Sequence, residues 1–598
     1  MPEASDDLPI LSAEEIAQFF PEAMPDPEPQ TFELGLVLGG TASAGCYTAG
    51  VLDLLVEALD TWHLAKAASP KTTPLHNFRL EIITGDSGGA VCATLLSRAL
   101  QFDFPHLTTV SPRATPGNPL YDLWVAGFSI AGLLGIDDLP AAAGQHLASA
   151  LDSTFIDAMG DKVATYTGRE PAPHQRRYVS NPLRVTMPLA NLRGVPYFTS
   201  LTGVPSSSGA ADLGQGIYFV NHSDYAQFAV AQPKGTPARR PQRPDEFAVP
   251  AATATLTDAW RDYAEYAKGS AAFPGGLRAR DLRRPRTHYR YRVTVQPDAD
   301  GKATVRALRP AWARMVDPAD GGSGDYAFAV VDGGCFDNAP IELARTWLAG
   351  MIGHNPRDAK DARRAVLLID PLAAGPELGP ARNPGLIRTL GPFFNTELIG
   401  GRYLSADMAL MCDDRVFSRF MITPWRSVPG MAGVQVGATA VTSSGLSAFA
   451  GFLHEDLRWH DYMLGRANCA AFLKNEFVLD AANPLFDAWG DLKNDRRYRI
   501  VDEETKAAYL PIIPLMPSLA SAMPAVPDWP RPKIDTADLT QRIETRLRAV
   551  LKQAQIDEIK LGWISGAIAG LVERLGADEV ARSVVKGVEE YLAERGMA

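Results

Sequence analysis

With 598 residues, 69 acidic against 58 basic side chains and a net charge of −11, the chain has an acidic balance that argues against wholesale nucleic-acid binding. Hydrophobic residues at 46% and charged residues at 21% are ordinary for a globular chain of several domains or one elaborated domain, and no apolar run approaches the ~20 residues of a membrane-spanning helix. Five widely spaced cysteines without a Cys-x-x-Cys pair, and an acidic N-terminus without the basic and apolar regions of a secretory signal, fit a reducing cytoplasm.

Residues 1–30 are acidic and proline-rich and read as a surface arm, with a short helix over Ser12 to Phe20 that Ser12 and Glu15 cap. The apolar run Phe32 to Leu38 predicts a strand, and the small residues Gly39 to Gly45 predict a loop. A helix follows, with Tyr47, Val51, Leu54, Leu55 and Ala58 on one face. Leu80 to Ile83 predicts a second buried strand and Ala90 to Leu96 a helix. Between them stands Thr84-Gly85-Asp86-Ser87-Gly88-Gly89. Gly85 and Gly89 allow a sharp turn and a close approach of strand and helix, so the Ser87 hydroxyl would project as a nucleophile elbow. The five-letter pattern alone is equally a tight glycine turn before a helix. Alternation of strand and helix implies a parallel sheet.

Asn118 to Leu134 is strongly apolar and reads as core, with the lining of an acyl-chain pocket as its rival use. Residues 165–180 and 202–250 carry loop-like clusters of Pro, Gly, Ser and Arg, and Leu183 to Leu192 between them predicts a strand. Arg278, Arg280, Arg283, Arg284, Arg286, Arg290 and Arg292 make the most basic stretch. The favoured reading is a solvated face; the rival is contact with a lipid head group or an anionic membrane surface. Tyr289 to Val295 alternates as a strand with its arginines facing solvent. Phe328 to Val331 predicts a strand that delivers Asp332, with Gly333 and Gly334 turning the chain away, and Val366 to Ile369 predicts another. Phe449 to Phe472 predicts a polar and aromatic helix pair. Residues 506–535 read as a proline-rich extended segment. From 536 to 598 apolar residues recur at helical spacing, among them Leu539, Ile543, Leu547, Val580, Val584, Val588 and Leu592.

Three stretches together resemble the patatin-like phospholipase family in its bacterial branch: Leu36 to Leu52, Gly85-Asp86-Ser87-Gly88-Gly89, and Val331-Asp332-Gly333-Gly334 through Pro340. The resemblance implies an α/β fold, a three-layer patatin-like sandwich with a mostly parallel central sheet. The catalytic domain would span 31–505, with a C-terminal helical extension. It implies a lipid acyl hydrolase in which Ser87 is the nucleophile and Asp332 its only catalytic partner. The backbone N–H groups of Gly40, Thr41 and Ala42 would hold the oxyanion, and Ser270 to Pro274 would end a helix near the site. No cofactor is implied. The partner is a lipid or acyl-ester substrate, with peripheral contact at a membrane and no nucleic acid. The family's first loop is usually Gly-Gly-Gly-x-Arg-Gly. Here Gly40, Thr41, Ala42, Ser43, Ala44 and Gly45 stand in register, without two of the glycines and the arginine. Thr41 and Ala42 adopt positive φ less readily than glycine.

Two other readings stay open. One is an α/β-hydrolase in which His354, His454 or His460 completes a Ser-Asp-His triad; the early elbow and the lack of a His-Gly-Gly motif speak against it. The other is a non-catalytic patatin-like scaffold that binds lipid or protein, motivated by the altered loop. No Asp-x-Asp calcium loop or His-Glu-x-x-His zinc helix occurs, and no metal is expected.

Overall fold

The computed structural model describes residues 11–107, 117–139, 147–171, 176–200, 216–233, 236–312, 324–373, 405–427, 433–522, 524–556 and 576–597. Nine strands form the main sheet: Thr31–Leu38 (β1), Asn77–Gly85 (β2), Val179–Ser200 (β3), Gly216–Val230 (β4), Phe247–Val249 (β5), Arg280–Pro285 (β6), Asp325–Asp332 (β7), Arg364–Ile369 (β8) and Arg419–Ile422 (β9). The helices that matter below are Ala13–Phe19 (α1), Gly45–Ala68 (α2), Gly88–Ala99 (α3), Asp258–Ser270 (α4), Ile341–Ala349 (α5), Glu455–Asn475 (α6), Thr536–Ile556 (α7) and Ala577–Glu594 (α8).

The strand order is β9-β8-β1-β2-β3-β4-β5, with β7 also on β3 and β6 on β7. Pairings from β9 through to β3 are parallel, whereas β3 meets β4 and β7 antiparallel. The architecture is therefore α/β with a mostly parallel central sheet. Strand alternation divides its apolar side chains between two faces. Leu34, Leu36, Leu38, Ile83, Leu367 and Ile369 enter the large core with α2, α3 and α6, whereas Val37, Ile82, Val366 and Leu368 meet Ile341, Ala344 and Leu348 of α5.

The span 42–68 is long and apolar enough to cross a membrane, contrary to the sequence reading, yet 89% of its apolar window is buried inside the protein. It packs against α6 and shares the large core with the sheet. A Cβ on Gly50 would lie 1.9 Å from Tyr462 O, and one on Gly465 would lie 2.2 Å from Tyr47 O, so glycine on each helix permits their crossing.

Several expectations are corrected. The predicted loop over 202–250 contains the long strand β4 and β5, because their side chains pack on β3 and on Tyr263 and Tyr266 of α4; residues 201–215 lie outside the described residues. Arg290 and Arg292 do not face solvent from a strand. Arg290 pairs with Glu15 at 2.7 Å, and Arg284 and Arg292 share the buried Asp224 at 2.9 and 2.7 Å. Arg280 meets Asp157 at 2.5 Å. The basic stretch is thus neither a solvated face nor a free head-group site at these positions.

The helix pair expected over 449–472 is one helix, α6, entered by a 3-10 turn over Ala450–Leu453. The arm carries α1 with both halves of the Ser12–Glu15 capping box, and Leu11 and Phe20 are buried against Tyr291, Trp347 and their neighbours; residues 1–10 lie outside the described residues. In α8, Val588 and Leu592 are buried as expected, together with Val585, whereas Val584 points outward.

Candidate active site

The site is made by the way two strands end. β2 pairs with β3 up to Thr84 opposite Thr186, then leaves the sheet at Gly85. Beyond that point the edge of β3 is taken by β7, which runs the other way and places Asp332 opposite Leu189. Ser87, leaving one strand, and Asp332, at the end of the other, meet over the same gap. The Ser87 hydroxyl donates to Asp332 Oδ2 at 2.8 Å.

Ser87 has φ 53° and ψ −125°, a conformation that costs a non-glycine residue of order 1–3 kcal/mol and persists only where its surroundings enforce it. They do so by contact. A Cβ on Gly89 would stand 2.2 Å from Leu38 O, and one on Gly85 2.5 Å from Gly89 O. The predicted elbow is therefore a tight turn between β2 and α3. Ser87 is half-buried, so its hydroxyl is reachable, whereas Asp332 is only 4% exposed.

Asp332 is held at three points. Its N–H donates to Ala272 O at 2.9 Å, its Oδ1 accepts the Gly334 N–H at 2.9 Å, and its Oδ2 accepts Ser87. Burial pushes its carboxyl up to about 6, with the Gly334 and Ser87 hydrogen bonds pulling the other way. Gly333 and Gly334 turn the chain directly over Asp86; a Cβ on either would come within 2.7 Å of an Asp86 carboxylate oxygen.

Asp86 and Asn338 were given no role by the sequence, and Ser270 only that of opening the run expected to end a helix near the site. Asp86 is fully buried and its carboxyl is pushed well above the usual range, first by burial and then by the charges of Asp332 and Asp337. It accepts the Ser270 hydroxyl at 3.4 Å, and Ser270 Oγ accepts the Ser87 N–H at 3.2 Å. Only Ser270's place at the end of α4, just before Ala272, hinted at this.

Of the three N–H groups expected to face an oxyanion, Gly40 is already engaged: it donates to the carbonyl and the side-chain oxygen of Asn338, each at 3.1 Å. Thr41 and Ala42 donate to no acceptor among the described residues, nor does Gly88 at the N-terminus of α3. Thr41 and Gly88 touch, since a Cβ on Gly88 would be 2.1 Å from Thr41 Oγ1. Three unclaimed N–H groups thus border the elbow, one of them at the positive end of a helix. Ala42 has φ 42°, so the left-handed backbone is adopted by an alanine. Sequence reasoning missed Gly88 because the elbow pattern marks glycines as space, not as donors.

Beside the elbow, Trp124 lies against Gly45 and Gly88. From it an aromatic series runs through Phe128, Phe452 and Phe449 to Phe273, with ring centroids 5.1, 5.7, 5.6 and 6.4 Å apart. Phe273 follows the Ala272 carbonyl that anchors Asp332. Most of Asn118 to Leu134 is core, as expected, but Trp124 also forms the wall of the site.

The histidines lie elsewhere. His354 is exposed, His454 Nδ1 accepts the Asp456 N–H at the start of α6, and His460 is buried between Asp461 and Arg426. Among the described residues no histidine hydrogen-bonds Ser87 or Asp332. No group of three His, Cys, Asp or Glu side chains suited to a metal ion occurs among them either.

Fold and site together define an α/β protein with a serine-aspartate pair at a strand-to-helix elbow. No family model matches the chain. It is 30% identical over 567 residues to the uncharacterized protein y4iI of Sinorhizobium fredii (strain NBRC 101917 / NGR234), a match that spans 89% of this chain and 77% of that protein. The chain belongs to the same family as y4iI.

Proposed function

We propose that the chain is a serine-dependent lipid acyl hydrolase of the patatin-like kind, cleaving carboxylic esters through an acyl-enzyme. The observation that carries this reading is the 2.8 Å hydrogen bond from the elbow Ser87 to the buried Asp332. Ser87 Oγ attacks the ester carbonyl carbon as its proton passes to Asp332 Oδ2, and the carbonyl oxygen becomes an oxyanion beside the Thr41, Ala42 and Gly88 N–H groups. The alcohol then leaves with the proton from Asp332. Water, deprotonated by the same carboxylate, releases the acid. An aspartate is ordinarily a weak base for a serine. The upward shift to about 6 brings it closer to the working pH and so improves its match to the task. The aromatic series from Trp124 to Phe273 supports an acyl chain as the group held beside the elbow.

Two observations favour the scaffold reading: Ala42 occupies a left-handed conformation, and Gly40 has given its N–H to Asn338. Labelling with a fluorophosphonate probe separates the two. The hydrolase reading expects labelling of the parent, none of Ser87→Ala, and release of fatty acid from at least one of a panel of phospho-, lyso- and neutral lipids. A parent that takes no label and cleaves no ester overturns it.

A further inference from the structure

We propose that Arg458 is a positioning residue for the loop that receives the oxyanion, fixing it through Gly451 and Ser43. The inference rests on the reading of Ser87 as nucleophile for its catalytic consequence, but not for the structural link itself.

Arg458 lies in the first turn of α6 and is buried. Its Nε donates to Val125 O and its Nη1 to Gly451 O, both at 2.8 Å. Among the described residues no carboxylate lies within 4.0 Å of it, although Arg176, Arg184, Arg284 and Arg466 each meet one in the interior. A guanidinium without a counter-ion is expensive to bury, and a cation in the first turn of a helix opposes the helix dipole. A methionine would fill the space without these costs but would take from the Val125 and Gly451 carbonyls the donors that Arg458 gives them. Among the described residues Arg98 and Arg426 also lack a carboxylate partner, but their hydrogen bonds lead to Tyr166, Thr253, Pro527 and His460, away from the elbow.

Arg458 leads to it. Gly451, whose carbonyl accepts Arg458, gives its own N–H to Ser43 Oγ at 3.0 Å, and a Cβ on Gly451 would stand 2.7 Å from that oxygen. The Ser43 hydroxyl donates in turn to Ala448 O at 2.5 Å. Leu446, Ser447 and Ala448 all have positive φ, as does Ala42 beside Ser43. Two strained segments are therefore fastened to one another through a single hydroxyl. The second bond of Arg458, to Val125, ties in the segment whose Trp124 abuts Gly45 and Gly88. One side chain links both borders of the place where Thr41, Ala42 and Gly88 present unclaimed N–H groups. Donors fixed before reaction need no reorganisation when charge appears, which is where such sites derive much of their rate.

The test uses Arg458→Met, Arg458→Lys and Ser43→Ala in the full chain. Hydrogen exchange of the peptide covering residues 39–46 should quicken by about tenfold in Arg458→Met and Ser43→Ala, and less in Arg458→Lys; exchange equal to that of the parent in both overturns the link whatever Ser87 does. With a soluble p-nitrophenyl ester, kcat should fall about 10- to 100-fold at nearly constant KM, up to the lower end of the ~10²–10³ lost when an oxyanion donor is removed outright. The Ki of a trifluoromethyl ketone, whose adduct on Ser87 carries an oxyanion, should rise by the same factor, with partial recovery in Arg458→Lys. Should Arg458→Met fail to fold, Ser43→Ala, which removes one buried hydroxyl, carries both measurements. A folded variant with lowered melting temperature but parental kcat and Ki marks Arg458 as merely structural and overturns the proposal. A parent inert to every ester and probe overturns the hydrolase reading instead, leaving the exchange result to decide the link.

Discussion

Ser87 Oγ and Asp332 Oδ2 stand 2.8 Å apart although 245 residues separate them in the chain. The contact is a consequence of topology. β3 is long enough to be paired by β2 along its first part and by β7 beyond it, and the two strands enter from opposite ends and stop at the same place. Each contributes the residue at its end, so the pair needs no long flexible side chain to meet.

The shift of Asp332 to about 6 sets a pH dependence. The carboxylate must be ionised to take the Ser87 proton, so kcat/KM should climb with pH and level off above about 6. Asp332→Asn should lower the plateau by about 10²- to 10⁴-fold. The sign for stability follows from the same shift: a carboxyl raised in the folded state favours folding most below its ordinary value near 4 and loses that contribution as pH rises through about 6. Asp332→Asn should therefore gain stability relative to the parent between pH 4 and pH 8, read from paired thermal melts. An unchanged difference across that range would show that Asp332 titrates near its ordinary value.

Gly89 has no room for a side chain, with Leu38 O 2.2 Å from where its Cβ would be. The obstacle is backbone of the central strand β1 and cannot swing aside. Gly89→Ala should cost at or above the upper end of the ~1–3 kcal/mol typical of overpacking, and Gly89→Val should give little folded protein. Denaturant midpoints decide this, and a Gly89→Ala midpoint equal to the parent's would mean that the turn is looser than the geometry implies.

The sequence made the elbow legible because it is local: five residues, two glycines and the strand and helix beside them lie within about one βα unit. Asp332 came from resemblance, and no periodicity would have paired it with Ser87. What could not be read was non-local or depended on partners. The arginines from Arg280 to Arg292 looked solvent-facing because their counter-ions, Asp157, Asp224 and Glu15, lie far off in the chain. β4 was hidden by the loop-like composition around it. The claim of Asn338 on the Gly40 N–H is a contact across 298 residues.

The Asp224 cluster offers a check on that correction. Asp224 receives Arg284, Arg292 and the Tyr289 hydroxyl, all in the interior. Both arginines hold its carboxyl down to about 2, against the effect of burial. Asp224→Ala would strand two buried guanidinium groups and should destabilise by about 3–5 kcal/mol, the usual cost of breaking a buried pair. A loss under about 1 kcal/mol in urea titrations would return these arginines to the surface.

Ala42 can be tested apart from the chemistry. A left-handed alanine costs about 1–2 kcal/mol. Ala42→Gly removes that strain but loosens the unfolded chain by about 0.4–1 kcal/mol, so stability should hold or rise slightly with activity retained. Ala42→Val should be less stable than the parent and less active, because a β-branched residue resists positive φ. Equal melting temperatures for the glycine and valine variants would show that position 42 is not left-handed in solution.

The number of partners that serve Ser87 is the last question, and the placement of the histidines makes it answerable. His354 is exposed, and His454 serves as an N-cap, a role asparagine can fill. His354→Ala and His454→Asn should therefore keep kcat within about twofold of the parent. His460 is different, because it is fully buried against Asp461 and Arg426, so His460→Gln should lower the melting temperature. For that variant the rate has to be expressed per folded molecule, counted from the native fraction in its thermal melt. On that scale His460→Gln should fall far less than Asp332→Asn, whose loss is the absence of the proton acceptor itself. A folded histidine variant as inactive as Ser87→Ala would mean that the serine relies on an imidazole, and the serine-aspartate mechanism would have to be abandoned.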